Sequence, residues 1–166
     1  MKVLRSKKGI PTCFINHPNG SGIVAECDIG VTGRQAMQAK LLVFKNPHAL
    51  RQFWKCALGK IDLGKGCLGA VNTIGFEVYR FLKDGKERRH IQVDPRYFCI
   101  IGLTANNLNM EIVSHEAVHA AFAYAKRHRR DFWVDADKLD EETVCYPAGR
   151  IAASINRFLH EKGLYK

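Results

Sequence analysis

Apolar and polar positions change their spacing near residue 104 of the chain. Before that point, short apolar or alternating runs predict strands at 23–27, 40–44, 76–82, 90–93 and 97–103. Asn46-Pro47 predicts the start of a short helix, because asparagine caps a helix and proline suits its first position. Asp84-Gly85 predicts a hairpin turn between two of the strands. The glycine-rich residues 59–69 predict a loop.

Beyond residue 104, apolar residues recur at helical spacing. We predict one helix over about 108–127, for which Asn106, Asn107 and Asn109 offer N-caps. A polar connection at 131–140 precedes a second helix over about 138–161, with an apolar stripe from Val144 to Leu159. With 166 residues, the chain is expected to form one α+β domain over 1–166. A strand-rich part with a short sheet, 1–103, comes first, and the two packed helices follow it.

The composition is that of a globular protein, with 46% hydrophobic and 25% charged residues. No apolar run approaches the roughly 18 residues of a membrane span, so we expect no membrane partner. The basic start MKVLRSKKGIPTCF is not followed by the apolar segment of an export signal. Six cysteines without a CxxC pair are typical of reduced thiols. These features together predict a cytoplasmic protein.

The formal charge of +10 adds a further expectation. Basic clusters lie at 86–90 and 126–130, and such clusters favour contact with nucleic acid or acidic surfaces. We therefore predict Arg127, Arg129 and Arg130 as nucleic-acid contacts. The same cations would also complement the dipole at the end of the helix over 108–127, and a solvated basic face is the other interpretation.

The first predicted long helix carries His115-Glu116-Ala117-Val118-His119, which has the form HExxH. His115 and His119 lie one turn apart, so their ring nitrogens can bind one ion. Glu116 is turned about 100° from His115, where its carboxylate can take a proton from a water molecule. Two histidines at a helix interface are the other interpretation of this pattern.

A catalytic zinc site needs a third protein ligand. A histidine six residues after His119 is excluded because that position is Ala125. His128 is nine residues from His119 and would face away from the ion. Glu141 and Glu142, near the start of the second helix, remain as candidates, and the helical geometry does not choose between them.

HEAVH, followed at 141–146 by Glu-Glu-x-x-x-aromatic, resembles the gluzincin zinc metallopeptidases. The size is most similar to the small phage- and prophage-encoded members and the ImmA-like regulatory proteases. The resemblance covers about residues 97–160 and implies a small zincin-like fold with one Zn²⁺ ion. It implies His115, His119 and Glu142 as ligands, because the ligand glutamate of such relatives is commonly followed four residues later by an aromatic or acidic residue, here Tyr146. Glu141 is the alternative third ligand.

The resemblance also implies a zinc-dependent endopeptidase with Glu116 as the general base. The metal would lower the pKa of a water molecule from about 16 towards 7 and polarise the scissile carbonyl. The strand over 97–103 would be the edge strand that pairs with substrate, or else an ordinary buried strand. The substrate would be an unidentified protein or peptide, in the cytoplasm of a bacterial host if the chain is phage-encoded. The competing hypothesis is a basic nucleic-acid- or protein-binding module on a metallopeptidase-like scaffold, without proteolytic turnover.

Overall fold

Strands dominate the first part of the chain, and two long helices follow them. The computed structural model describes residues 22–31, 38–57, 63–73, 76–81, 87–92, 97–128 and 142–165. The elements are β1 (Ile23–Gly30), β2 (Gln38–Phe44), α1 (Pro47–Ala57), β3 (Gly69–Thr73), β4 (Phe76–Phe81), β5 (Glu87–Gln92), β6 (Tyr97–Thr104), α2 (Met110–His128) and α3 (Glu142–Glu161). A 3-10 turn, Ala105–Asn107, joins β6 to α2. The fold is α+β, as predicted. That residues 1–166 form a single domain stays a prediction.

Four of the strands form one mixed sheet in the order β1-β2-β6-β3. β1 pairs with β2, and β3 with β6, in antiparallel orientation. β2 and β6 are parallel. A parallel pair cannot be joined by a tight turn, and the chain between these two strands contains α1 and β3. β4 and β5 form a separate antiparallel pair.

Alternate side chains of β2 face two different cores, one on each side of the sheet. Leu41 and Val43 pack with the buried sides of α2 and α3. Leu42 and Phe44 pack with α1, where the rings of Phe44 and Trp54 meet edge to face with centroids 6.4 Å apart. The described helices therefore cover both faces of the mixed sheet, with α1 on one face and α2 with α3 on the other.

The buried side of α2 consists mostly of alanine. At most 3% of each of these residues is exposed: Ala117, Ala120, Ala121, Ala123 and Ala125. A methyl side chain lets a helix lie close to its neighbours, and a close-packed interface tolerates little change in volume. The position of α2 is thus fixed by tight packing against the sheet and α3.

Asparagine side chains cap two of the helices. The Asn46 Oδ1 accepts a hydrogen bond of 2.9 Å from the Ala49 backbone N–H, at the start of α1. The Asn109 Oδ1 accepts one of 2.8 Å from the Ile112 N–H, at the start of α2. Of the three predicted caps for α2, Asn109 is therefore the one used, because it directly precedes the first helical residue.

Most of the predicted elements are confirmed. The helices predicted over 108–127 and 138–161 are found as α2 and α3, and residues 138–141 lie outside the described residues. The predicted hairpin is found as β4 and β5, and its predicted turn at Asp84-Gly85 likewise lies outside them. β3 was not predicted: Gly69 was assigned to the glycine-rich loop, and residues 70–75 were assigned to no element.

Of the two interpretations of strand 97–103, the edge strand is wrong and the ordinary buried strand is confirmed. β6 lies between β2 and β3, and every residue from Phe98 to Thr104 is buried. Its neighbours occupy both of its backbone edges, which leaves no edge for a substrate. The edge strand on this side of the sheet is β3, which also packs against α2.

Two sequence expectations about the whole chain can be compared with the structure. No helix in the described ranges is long and apolar enough to cross a membrane. Cys27, Cys67, Cys99 and Cys145 are free thiols, as expected for these four.

Candidate active site

His115 and His119 lie on the exposed side of α2. Their Nε2 atoms are 3.1 Å apart, and their ring centroids are 4.7 Å apart. The helix brings the rings together because residues four apart are neighbours on one face. Both histidines thus present the same ring nitrogen to one point at the surface.

This geometry fits two ligands of one zinc ion. Two Zn–N bonds of about 2.0–2.1 Å at a tetrahedral angle would hold the nitrogens about 3.3 Å apart. The observed separation of 3.1 Å is close to that value. It is also a hydrogen-bond distance, so that one neutral ring could donate to the other when no metal is present.

Glu116 lies between the histidines in sequence, but its side chain is directed inward. Only 5% of the residue is exposed, and its Oε2 atom has no hydrogen-bond partner. Burial raises the pKa of the carboxyl, while the nearby His115 lowers it, and the net shift is upward. Burial of a carboxylate without a partner is energetically unfavourable. Such groups with a shifted pKa are common in functional sites.

The carboxylate of Glu116 lies against the first residue of β3. A Cβ atom added to Gly69 would be 2.7 Å from the Cγ and Oε1 atoms of Glu116. Glycine is therefore needed at this position for β3 and α2 to approach as closely as they do.

Contacts at the end of β6 hold this part of β3 in place. The backbone N–H and the side-chain hydroxyl of Thr104 both donate to the Leu68 carbonyl, at 3.1 and 3.0 Å. The Cys67 thiol donates to the Gly69 carbonyl at 2.7 Å. Burial and then the charge of Glu116 raise the pKa of that thiol. Cys67 and Gly69 belong to the site, and they were not predicted because no local pattern relates them to HExxH.

The third predicted ligand is not brought to the histidine pair. Glu142 is the exposed first residue of α3. Tyr165 lies just after the other end of α3, and its hydroxyl is 3.5 Å from the Met110 sulfur at the start of α2. It is thus the end of α3, and not its start at Glu142, that lies beside the start of α2. Within the described ranges no group of three or more His, Cys, Asp or Glu residues could hold a metal ion. Glu141 lies outside those ranges, so the third ligand stays a prediction.

Two apolar side chains are exposed beside the histidines. Val118 is 42% exposed and Phe122 is 46% exposed. Each lies three residues after one of the histidines, which makes the four side chains neighbours on one face of α2. Val118 and Phe122 therefore add a small apolar surface next to the histidine pair.

The predicted nucleic-acid contacts are only partly described. Arg127 is half-buried, and its Nη1 atom donates to the Tyr97 carbonyl at 3.0 Å, which links the end of α2 to the start of β6. Arg129 and Arg130 lie outside the described residues. At least part of the Arg127 side chain therefore has a structural role.

Comparison of the chain with protein-family models, with curated proteins and with solved structures gives no match.

Proposed function

We propose that the chain is a zinc-dependent endopeptidase with a small zincin-like fold, acting on a protein substrate in the cytoplasm. One observation carries this proposal. The Nε2 atoms of His115 and His119 lie 3.1 Å apart on α2, and Glu116, next to His115 in sequence, has a buried carboxylate whose Oε2 lacks a hydrogen-bond partner and whose pKa burial raises and His115 lowers. Two neutral nitrogen ligands and an adjacent base are the parts of a metallopeptidase site that one helix can supply.

His115 and His119 would hold one Zn²⁺ ion. Glu142 stays the predicted third ligand, although the described residues do not group it with the histidines, and Glu141 is its alternative. A bound zinc ion supplies a Lewis acid that polarises the scissile carbonyl and lowers the pKa of a water molecule. The nitrogen and carboxylate donors suit zinc, and the thiols of Cys67 and Cys99 are not needed.

Glu116 would act as the general base. Its buried carboxyl has a raised pKa, which brings its proton affinity closer to that of the groups between which it must move a proton. It would take a proton from the attacking water and pass it to the leaving amine. The close approach of Gly69 limits the positions available to its side chain.

β3 would bind the extended substrate. It is an edge strand beside the motif helix, and no described strand pairs with its outer edge. Free backbone N–H and C=O groups at such an edge can add a peptide as a further strand. Val118 and Phe122 would give an apolar side chain of that peptide a surface beside the histidines.

Replacement of the base tests the activity. Glu116→Gln should keep zinc and abolish turnover, and new N-termini in cells expressing wild type should be absent with this variant. Glu111→Gln is the matched control, because Glu111 is exposed one turn before His115 on the same helix. A purified, folded wild-type protein that binds no zinc would overturn the proposal. A zinc protein whose Glu116→Gln variant produces the same new N-termini would overturn the role of the base.

A second set of variants tests the third ligand. Glu142→Gln and Glu141→Gln should differ, with zinc lost from the variant that removes the true ligand. Glu161→Gln is the control, because Glu161 is the exposed last residue of the same helix. Unchanged zinc content in both test variants would contradict the assignment of either glutamate.

A further inference from the structure

Four cationic residues lie on α1 or in the segments next to it, and we call them the α1 cation row: Lys45, Lys55 and Lys65, which are exposed, and Arg51, which is half-buried. Lys45 directly precedes the capping residue of the helix. Arg51 and Lys55 are one turn apart and so share a face. Lys65 is held next to them, because the Arg51 Nη1 atom donates to the Lys65 carbonyl at 2.6 Å.

No carboxylate neutralises these charges in the part of the chain that the structure describes. The only ion pairs found there join Lys40 to Glu26 and Asp28, at 3.6 and 3.1 Å. The first turn of α1 contains no acidic residue. Its N-terminus, which carries a positive partial charge, therefore adds to the charge of Lys45.

The surface between the cations has no apolar anchor. His48 and Gln52 are the other exposed side chains on this side of α1. The large exposed hydrophobic residues of the described ranges all lie elsewhere: Val24, Met110, Val118, Phe122 and Tyr146. A stable protein–protein interface usually needs buried aromatic or aliphatic anchors, whereas binding to a phosphate backbone needs only cations and polar donors.

We infer that the α1 cation row binds the phosphate backbone of a nucleic acid without sequence preference. From its first residue, Pro47, to Lys55, α1 is about 12 Å long at the helical rise, and Lys45 lies just before it. Phosphates of one strand are spaced about 3.4 Å along the axis of a duplex, so the row covers about four of them. Lysine and arginine supply the point charges and forked donors that such phosphates accept.

This surface lies on the opposite side of the sheet from the histidine pair. α1 covers one face of the sheet, and α2, with His115 and His119, covers the other. A nucleic acid bound along α1 would leave the histidines accessible. The inference does not depend on the proposed peptidase activity.

Salt-dependent binding tests the inference. Affinity for a short labelled duplex DNA of mixed sequence would be measured by fluorescence anisotropy at several NaCl concentrations. Four phosphate contacts predict a slope of log K against log[salt] of about −3.6, or roughly a 150-fold loss between about 50 and 200 mM salt. Lys45→Gln/Lys55→Gln should reduce the slope to about −1.8, or roughly a tenfold loss over the same range.

The matched control is Arg157→Gln/Lys162→Gln, which removes the same charge from exposed positions on and just after α3. This variant should keep the wild-type slope. An equal loss in both double variants would show a general charge effect and overturn the inference, as would wild-type binding with no salt dependence. Competition by polyglutamate as effective as that by DNA would overturn the nucleic-acid assignment. Circular dichroism would establish that both variants are folded.

Discussion

Gly69 and Glu116 are the two residues of the candidate site whose positions depend most closely on each other. The smallest side chain at Gly69 would place a carbon 2.7 Å from the Glu116 Oε1 atom. Because Cβ atoms do not approach other atoms so closely, the carboxylate would have to move. Its displacement would affect the base without removing any ligand.

We predict that Gly69→Ala lowers peptidase turnover by up to about 100-fold, since a shift of about 1 Å in a catalytic group can have this effect. Zinc content should stay at the wild-type level, which inductively coupled plasma mass spectrometry would measure. Gly30→Ala is the control, because a Cβ atom there meets nothing within 4 Å. Full activity in Gly69→Ala would show that the Glu116 position is not critical.

The buried thiol of Cys99 should make the stability of the protein depend on pH. Cys99 is fully buried in β6, and burial raises the pKa of its thiol far above the 9.0 of an ordinary thiol. Above about pH 9 the thiol ionises in the unfolded chain and stays neutral in the folded one, so stability is present below that pH and is lost as the pH rises. The free energy of unfolding should fall by about 1.4 kcal/mol per pH unit from this group.

Chemical denaturation below and above pH 9 would measure this fall in wild type and in Cys99→Ala. The variant should show the smaller decrease, although its stability near neutral pH is also lower because of the cavity. The same pH profile in both proteins would contradict the prediction.

The tight packing of α2 should make its buried side sensitive to added side-chain volume. Ala121 is fully buried on the side of this helix that packs in the core. Ala121→Leu adds volume where none is available and should lower the free energy of unfolding by about 1–3 kcal/mol. Ala153→Leu, at an exposed position on α3, should have little effect. Equal stability of the two variants by urea denaturation would mean that α2 can shift outward without cost.

The elements that the sequence predicted are those with a repeated local pattern. The stripes of α2 and α3 and the apolar runs of β2 and β6 extend over enough residues to be recognised. β3 has five residues, of which Ala70 is buried and Val71 half-buried, so its sequence holds no periodic signal. It is a strand because β6 pairs with it over Gly69–Thr73, which is a long-range interaction.

The same distinction between local patterns and long-range interactions applies to the candidate site. HExxH was predictable because helical geometry alone brings His115 and His119 together. The position of Gly69 depends on how the sheet meets α2, and that of Glu142 on how α3 packs, so neither could be derived from local spacing. The sequence predicted Arg127 as a nucleic-acid contact. The unpaired cations of α1 are recognisable only after the fold shows which carboxylates are close.

At the scale of the whole molecule, metal binding should be linked to folding. Zinc that binds the folded chain alone would stabilise it by about 4 kcal/mol at a free concentration 1,000 times Kd, which corresponds to a rise in Tm of roughly 10 °C. A chelator should reverse this shift in differential scanning fluorimetry. His115→Ala should show no shift, and His48→Ala, an exposed histidine on α1, should retain it. A zinc response that survives in His115→Ala would indicate a different metal site.

The parallel pairing of β2 with β6 has a consequence for the order in which the chain can fold. Gln38–Phe44 forms its ladder with Tyr97–Thr104, so the centre of the sheet joins segments that leave the ribosome far apart in time. Until β6 is synthesised, Leu41 and Leu42 have no neighbouring strand on that side, and one edge of β2 stays available to other chains. Nascent chains that stall before residue 104 would therefore be prone to aggregate. Folding of the central sheet must wait until β6 has been synthesised.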